Sequence, residues 1–239
     1  MAIQPWRKGI IKAIIPETSD TNRYFIEIPE LDAFDFLPGQ FVTLDLPIHE
    51  KSNKRWRSYS IASHPDGCNK IELLIVLNPN GIGTPYIFRE WKVGSEVSLR
   101  GPQGVFTLQQ PLDKKIFLIC TGTGLAPFRS MVNYIDSLHI PHKEIVLIYG
   151  CRRKENLMYF DELTALSKNL NGFSYIPTLS RENWEGQTGY VHAVYEELCI
   201  NRPNAQFYLC GWKEMIDEAK ERILQMGYDK KDIHLEIYG

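Results

Sequence analysis

Ile116 to Arg129 reads IFLICTGTGLAPFR: an apolar run breaks into Thr-Gly-Thr-Gly and resumes with helical character. Five apolar residues, Ile116 to Cys120, fit a strand covered on both faces, as in a parallel sheet. Gly122 and Gly124 permit conformations and close approaches that a Cβ would block. A helix opening near Leu125 would aim its free N–H groups back at the turn, which suits an anion such as a pyrophosphate. Pro127 falls in the first helical turn, where its missing donor costs little. The spacing Gly122-x-Gly124-x-x-Pro127 is a variant of the three-glycine dinucleotide fingerprint, and taken alone it is also ordinary turn punctuation.

Strands alternate with helices after Leu108. The expected strands are Lys115 to Cys120, Glu144 to Tyr149, Gly172 to Leu179, Gln206 to Cys210 and His234 to Ile237, and the expected helices lie near Leu125 to Leu138, Tyr159 to Asn169, Tyr190 to Cys199 and Glu214 to Met226. That rhythm predicts a parallel sheet with helices on both faces, with ligands beyond the carboxyl ends of the strands. The chain before Leu108 has a different rhythm: short strands (Trp6 to Ile15, Arg23 to Ile28, Phe41 to Leu46, Arg57 to Ala62, Ile71 to Leu77, Glu96 to Leu99) separated by turns at Pro38-Gly39, Pro65-Asp66-Gly67, Asn78 to Gly81 and Gly101 to Gly104. This predicts a small antiparallel barrel interrupted by one helix, Pro85 to Trp91. Gln109 to Asp113 reads as a linker. The 239 residues therefore divide into a barrel, 1–110, and an α/β domain, 114–239.

A net charge of −2 gives no case for nucleic acid, and no apolar run approaches the ~20 residues of a membrane span. The opening MAIQPWRKGI lacks the apolar segment of a signal peptide, so a cytoplasmic enzyme is expected. The five cysteines (68, 120, 151, 199, 210) contain no C-x-x-C pair and no histidine at metal spacing. No disulfide framework, metal site or built-in iron–sulfur cluster is expected, and any such cluster belongs to a separate protein.

Six segments occur in the order found in one family, the plant-type ferredoxin-NADP(H) reductases, which carry an FAD-binding barrel before an NADP-binding domain. They are Arg57 to Ser63 (RSYSIAS), Gly81 to Thr84 (GIGT), the Ile116 stretch, Leu179 to Glu182 (LSRE), Phe207 to Met215 (FYLCGWKEM) and the terminal LEIYG. The chain thus resembles an antiparallel β-barrel flavin domain followed by an α/β parallel-sheet nucleotide-binding domain. The resemblance implies FAD contacts at Arg57, Ser58, Tyr59, Ser60, Ile82, Gly83, Thr84 and Tyr238, and NADP contacts at Thr121, Gly122, Thr123, Gly124, Ser180, Arg181, Tyr190, Cys210 and Gly211.

Chemistry independent of the family makes several of these roles intelligible. A guanidinium at Arg57 can grip a diphosphate, a phenol at Tyr59 can pack on an isoalloxazine, and alternation puts Arg57 and Tyr59 on one face with Ser58 and Ser60 on the other. Ser60 is expected to hydrogen-bond flavin N5, and the helix start at Thr84 to hold the pyrophosphate. Catalytic roles are implied for Ser60, Cys210, Glu236 and Tyr238: Cys210 shapes the nicotinamide contact, Glu236 balances charge beside it, and the Tyr238 ring covers the flavin, with Gly239 expected to loosen that cover or to alter where the carboxylate sits. Ser180 and Arg181 are expected at the adenosine 2′-phosphate and Tyr190 on the adenine. Thr188 departs from the family, which often has a basic residue there, so Arg152, Arg153 or Lys154 is expected to compensate.

The implied activity is electron transfer between NADP(H) and a separate ferredoxin or flavodoxin through FAD. Two alternatives stand beside it: a reductase component serving an oxygenase, free flavin or ferric chelates, and a non-catalytic electron-transfer docking subunit. Lys8, Lys12, Lys51, Lys54 and Arg55 form a candidate basic docking surface or simply scattered surface charge.

Overall fold

A computed structural model of the chain describes residues 4–238; Gly239 lies outside the described residues. The chain forms two compact units, one running to Thr107 and including Arg129–Tyr134, the other comprising Leu108–Phe128 and the chain from Ile135 onward.

The first unit contains β1 (Arg7–Pro16), β2 (Thr21–Glu27), β3 (Phe41–Asp45), β4 (Trp56–Ser60), β5 (Lys70–Val76), helix α1 (Gly83–Glu90) and β6 (Glu96–Gln103). The strands pair antiparallel in the order β4-β3-β6-β1-β2-β5, and a bridge between Ile61 and Leu73 links the two outer strands. A sheet whose edges meet removes the unpaired backbone that an open edge exposes. The interior is filled by side chains of alternate strand positions, among them Ile11, Ile26, Val42, Leu44, Leu73, Ile75 and Leu99, and Ile87 and Trp91 join them from the α1 segment.

The barrel differs from the sequence expectation at two places. β6 continues through Gly101 and Pro102 to Gln103, where a turn was expected, because Phe41 of β3 pairs with Gln103 after an irregularity in register between Phe41 and Thr43. A bulge of this kind lets a strand bend without ending. Helix α1 starts at Gly83, two residues before Pro85, so the proline lies inside the first turn.

The second unit contains β7 (Lys115–Thr121), the two ends of α2 (Leu125–Ser137), whose middle residues Arg129–Tyr134 belong to the first unit, β8 (Ile145–Cys151), α3 (Phe160–Asn169), β9 (Phe173–Leu179), β10 (Gln187–Thr188), α4 (Val191–Leu198), β11 (Ala205–Trp212), α5 (Lys213–Gln225) and β12 (Ile233–Tyr238). All neighbours are parallel, in the order β10-β9-β8-β7-β11-β12. Phe117, Ile119, Val146, Ile148, Phe207 and Leu209 form one face of the sheet and pack with Val191, Val194 and Tyr195 of α4 and Ile216, Ala219 and Ile223 of α5. Leu118, Cys120, Leu147, Tyr149 and Tyr208 alternate with them onto the opposite face and are equally buried. Both faces covered explains why β7 and β8 read as continuous apolar runs.

The segment read as a linker is fastened to the second unit. Leu112 is buried and bridges to His142, and the Gln109 N–H donates to the Tyr208 hydroxyl at 2.9 Å. Polar composition concealed this, since only one of its five residues carries the burial. Among the described residues, no helix is long and apolar enough to cross a membrane.

Candidate functional site

In the barrel unit, the flavin-motif strand β4 lies at an edge of the strand order, paired only with β3: Arg57 faces Leu44, Ser58 faces Thr43, Tyr59 faces Val42 and Ser60 faces Phe41. The alternation puts Arg57 and Tyr59 on the side of fully buried Leu44 and Val42. Tyr59 is half-buried against the barrel core, and burial pushes its phenol well above the usual range. Ser58 is exposed and shares a hydrogen bond with the Thr43 hydroxyl at 3.2 Å, whereas Ser60 is buried.

Arg57 and the Gly81–Thr84 loop, 24 residues later in the chain, come together. The Arg57 side chain runs past Gly83, where a Cβ would sit 3.1 Å from its Nε. One edge of the guanidinium is fixed by the carbonyls of Lys54 and Trp56, at 3.2 and 2.7 Å from Nη1. No side chain caps the N-terminus of α1, whose first N–H groups therefore stand open beside a cation. A positive side chain beside open helical donors is the donor set a diphosphate requires. The Thr84 hydroxyl is engaged locally: it accepts from the Asn78 N–H at 2.8 Å and donates to the Asn78 carbonyl at 3.4 Å, closing the loop.

A buried charge cluster braces the end of the flavin-motif strand, and the sequence reading assigned it no role. Glu72, 3% exposed, receives Arg23 Nε at 2.6 Å and Arg129 Nη1 at 2.9 Å, and Arg129 also donates to the Ala62 carbonyl at 2.9 Å. A carboxylate removed from water must be paired in this way. The available signal was a glutamate interrupting the apolar run KIELLIV of β5.

In the α/β unit, β7 ends at Thr121, a single 3-10 turn covers Gly122–Gly124, and α2 follows, so a tight turn precedes the expected helix. The carboxyl end of β11 lies against it. A Cβ on Gly124 would overlap the Cys210 carbonyl, and one on Gly211, at φ +137°, would lie 2.5 Å from Thr121 Oγ1. The Trp212 N–H donates to Thr121 Oγ1 at 3.4 Å. Thr121, Gly122, Thr123, Gly124, Cys210 and Gly211 therefore form one backbone cradle with no side chain capping its turn.

Cys120, Cys210 and Glu236 occupy adjacent positions of one row across β7, β11 and β12. Burial drives the Cys210 thiol well up, Glu236 and Cys120 add to this, and a hydrogen bond with the Tyr238 hydroxyl opposes it. A thiol held protonated is a poor nucleophile.

Ser180 and Arg181 lie beyond β9 and are held by the loop after β8: Ser180 N–H donates to the Cys151 carbonyl and Arg181 N–H to that of Arg152, each at 3.0 Å. The Ser180 hydroxyl also donates to the Cys151 carbonyl, at 3.3 Å. This ladder sets Arg152 beside Arg181. Arg152, Arg153 and Arg181 are exposed and make no ion pair among the described residues. Lys154, by contrast, is occupied: its ammonium pairs with Glu185 at 2.8 Å and its N–H donates to Glu182. Of the three cations expected to compensate for Thr188, Arg152 and Arg153 are thus the ones left without an ion pair among the described residues. Tyr190 precedes α4 and is 72% exposed, a free aromatic face. The intervening loop is pinned by Trp184, whose indole donates to the Gln187 carbonyl at 2.6 Å.

The candidate docking cations are mostly paired as well. Lys8 meets Glu96, Lys12 meets Glu27 and Arg55 meets Asp45, leaving Lys51 and Lys54 without ion pairs among the described residues. Among those residues, no group of three or more His, Cys, Asp or Glu side chains is arranged to hold a metal.

The chain matches two family models, the oxidoreductase FAD-binding domain over residues 9–108 and the oxidoreductase NAD-binding domain over residues 118–221. It is 34% identical to ferredoxin–NADP reductase B of Sorangium cellulosum, with 98% of each chain covered. It is 33% identical to the electron transfer component of anthranilate 1,2-dioxygenase of Acinetobacter baylyi, covering 78% of this chain and 53% of that one. The chain thus spans about half the length of that component and under two thirds of several other oxygenase components that it matches. The fold superposes on a ferredoxin NADP+ reductase of Neisseria gonorrhoeae with bound FAD and NADP at a TM-score of 0.82, with 25% identity and 97% of this chain and 98% of that one covered. With both cradles lying inside the matched domains, the chain belongs to the ferredoxin–NADP reductase-like family of oxidoreductases, built from an FAD-binding and an NAD-binding domain.

Proposed function

We propose that this chain carries electrons between NADP(H) and a separate one-electron carrier protein of the ferredoxin or flavodoxin type, through FAD. The observation that carries this reading is the match to a ferredoxin–NADP reductase over the whole length of both chains. FAD, when bound, supplies hydride exchange at N5 and single-electron exchange, chemistry that no side chain can perform. The protein's part is to bind and orient.

Arg57 neutralises the FAD diphosphate together with the open N–H groups at Ile82, Gly83 and Thr84. Tyr59 lies along the isoalloxazine, Ser58 lines the same strand, and Ser60 donates its hydroxyl hydrogen bond to N5. On the nucleotide side, the backbone of Thr121–Gly124 and Gly211 holds the NADP diphosphate, Arg181 and Ser180 take the 2′-phosphate and Tyr190 stacks on the adenine. Cys210 shapes the nicotinamide site, with Glu236 as the neighbouring carboxylate. Tyr238 is assigned to the flavin cover on the likeness of the terminal LEIYG to the family's chain end. The Arg152 guanidinium, set beside Arg181 by the backbone ladder, replaces the basic residue absent at Thr188.

Two arginines on one phosphate dianion discriminate NADPH from NADH. Arg181→Ala should raise the KM for NADPH about tenfold or more, equivalent to roughly 1.5–3 kcal/mol for a lost charge-assisted contact, with the KM for NADH little changed. Arg152→Ala should move the same way by less. Equal effects on the two nucleotides would remove the 2′-phosphate assignment.

The second reading is a reductase component that serves an oxygenase or reduces free flavin or ferric chelates, and the oxygenase electron transfer components among the relatives favour it. Turnover with NADPH against ferredoxin, flavodoxin, free flavin and ferric chelate separates the two. Preference for the protein carriers supports the first, and preference for the small acceptors supports a role of the second kind.

A further inference from the structure

The chain changes its pairing partner just after Ser60. Ser60 is still opposite Phe41 of β3, and the Ile61 N–H still donates to the Gln40 carbonyl before that strand, at 3.0 Å. Ile61 also bridges to Leu73, and the Ala62 N–H donates to the Glu72 carbonyl of β5 at 2.8 Å. The buried Ser60 side chain therefore hangs from a crossing between two ladders. Within a strand the pleat sets where a side chain points, whereas at a crossing the neighbouring peptides must be held by something else.

Glu72 and Arg129 supply that hold. The Glu72 main chain engages both neighbours, its carbonyl accepting from Ala62 and its N–H donating to the Ser63 hydroxyl at 3.0 Å. Its carboxylate receives Arg129 Nη1 at 2.9 Å, and the same nitrogen donates to the Ala62 carbonyl at 2.9 Å. The N–H and the C=O of Ala62 are thus both tied to Glu72, one directly and one through a guanidinium. Behind them Arg23 binds the same carboxylate at 2.6 Å and lies 3.7 Å from Glu17, so charges of alternating sign run Glu17, Arg23, Glu72, Arg129. The side chains of Glu72 and Arg129 are 4% and 12% exposed. Apolar side chains of equal volume commonly stabilise a fold as well as a buried ion pair does, so stability alone does not account for this one. What the charges add is a donor aimed at one backbone carbonyl, two residues beyond Ser60.

We propose that Arg129, held by Glu72, is a positioning residue for Ser60: it locks the crossing from Ser60 to Ala62 so that the Ser60 hydroxyl meets flavin N5 in one orientation. This rests on the reading of Ser60 as the N5 donor. Arg129 belongs to the stretch of α2 that groups with the barrel unit, so the clamp lies within that unit.

A double-mutant cycle tests this, read as the rate of flavin reduction by saturating NADPH in the FAD-loaded protein. Arg129→Met removes the donor and should slow reduction roughly tenfold, the scale of a misplaced catalytic contact, with FAD retained and the KM for NADPH within about twofold of wild type. In a Ser60→Ala background the same substitution should cost less than about twofold, because the group it orients is already gone. Where Arg129→Met does not hold FAD, Glu72→Gln takes its place: the amide keeps the shape, weakens the grip on Arg129, and should show the same coupling to Ser60→Ala with a smaller loss. Rates that fall independently in the double variant would overturn the proposal, as would a wild-type rate in the single variant. Loss of FAD from both variants would overturn it too, as general damage to the barrel. A Ser60→Ala protein that reduces its flavin at the wild-type rate would instead remove the N5 reading, and the proposal with it.

Discussion

In the barrel unit, Gly83 makes room for a side chain: Arg57 passes where a Cβ would sit, and the arrangement proposed as an anion site is an ionic one, a guanidinium beside a helix N-terminus. In the α/β unit, Gly124 and Gly211 make room for backbone: the ends of β7 and β11 touch, and the resulting site is made of main-chain donors shaped by contact with Cys210 and Thr121. Both are proposed as cradles for a diphosphate, and they differ in what holds them in shape. The first has some give because what a Cβ would meet is a flexible side chain, at Nε, Cγ and Cδ of Arg57, and not backbone. The second is a contact between two backbones, and a protein interior of close-packed strands has no slack with which to absorb an added methyl group. A resident cofactor gains from a charged grip, whereas a nucleotide that must leave each turnover is better held by shape and dipoles than by a buried counter-charge.

That difference predicts unequal consequences for the same small change. Gly124→Ala forces a methyl group onto the Cys210 carbonyl, and should destabilise the α/β unit at or beyond the upper end of the ~1–3 kcal/mol range for overpacking, abolishing NADPH oxidation while FAD stays bound. Thermal unfolding and flavin absorbance read both at once; retained NADPH turnover would show that the two strand ends are not in contact. Arg57→Gln should leave the fold intact and weaken FAD by about 1.5–3 kcal/mol, or roughly 10- to 150-fold in Kd. Fluorescence titration of the flavin-free protein measures this, and unchanged affinity would show that the barrel cradle is not ionic. Gly83→Ala is the mildest. Its methyl group meets only the Arg57 side chain at 3.1 Å, so FAD affinity should fall by less than about tenfold with no change in thermal midpoint. A collapse of the barrel there would mean both cradles are equally rigid.

Much of this architecture was legible from residue pattern. The apolar runs of β7 and β8 identify strands covered on both faces, and the Thr-Gly-Thr-Gly break locates a strand end. What was not legible depended on partners distant in the chain. Gly101-Pro102 reads as a turn, yet Phe41 holds the strand on to Gln103. Gln109 to Asp113 reads as a linker, yet Tyr208 and His142 fasten it. β10 has only two residues and no periodicity to detect. At the cradles, spacing pointed to the strand ends but not to the use of each side chain there. Lys154 is a cation in the right loop that already has Glu185, and Thr84 is a hydroxyl in the right loop that already has Asn78. Glu72 gains its meaning only from Arg23 and Arg129, which approach it from elsewhere in the sequence.

We propose that one chain holds a flavin in an ionic cradle and a pyridine nucleotide in a backbone cradle, and uses the flavin to oxidise the nucleotide. Anaerobic titration of the purified, FAD-loaded protein with NADPH, followed at the flavin absorption band, tests it directly. Loss of the oxidised flavin band near one equivalent of NADPH, with NADH far less effective at equal concentration, is the predicted result; a protein that cannot be loaded with FAD, or a bound flavin that remains oxidised in excess NADPH, would contradict it.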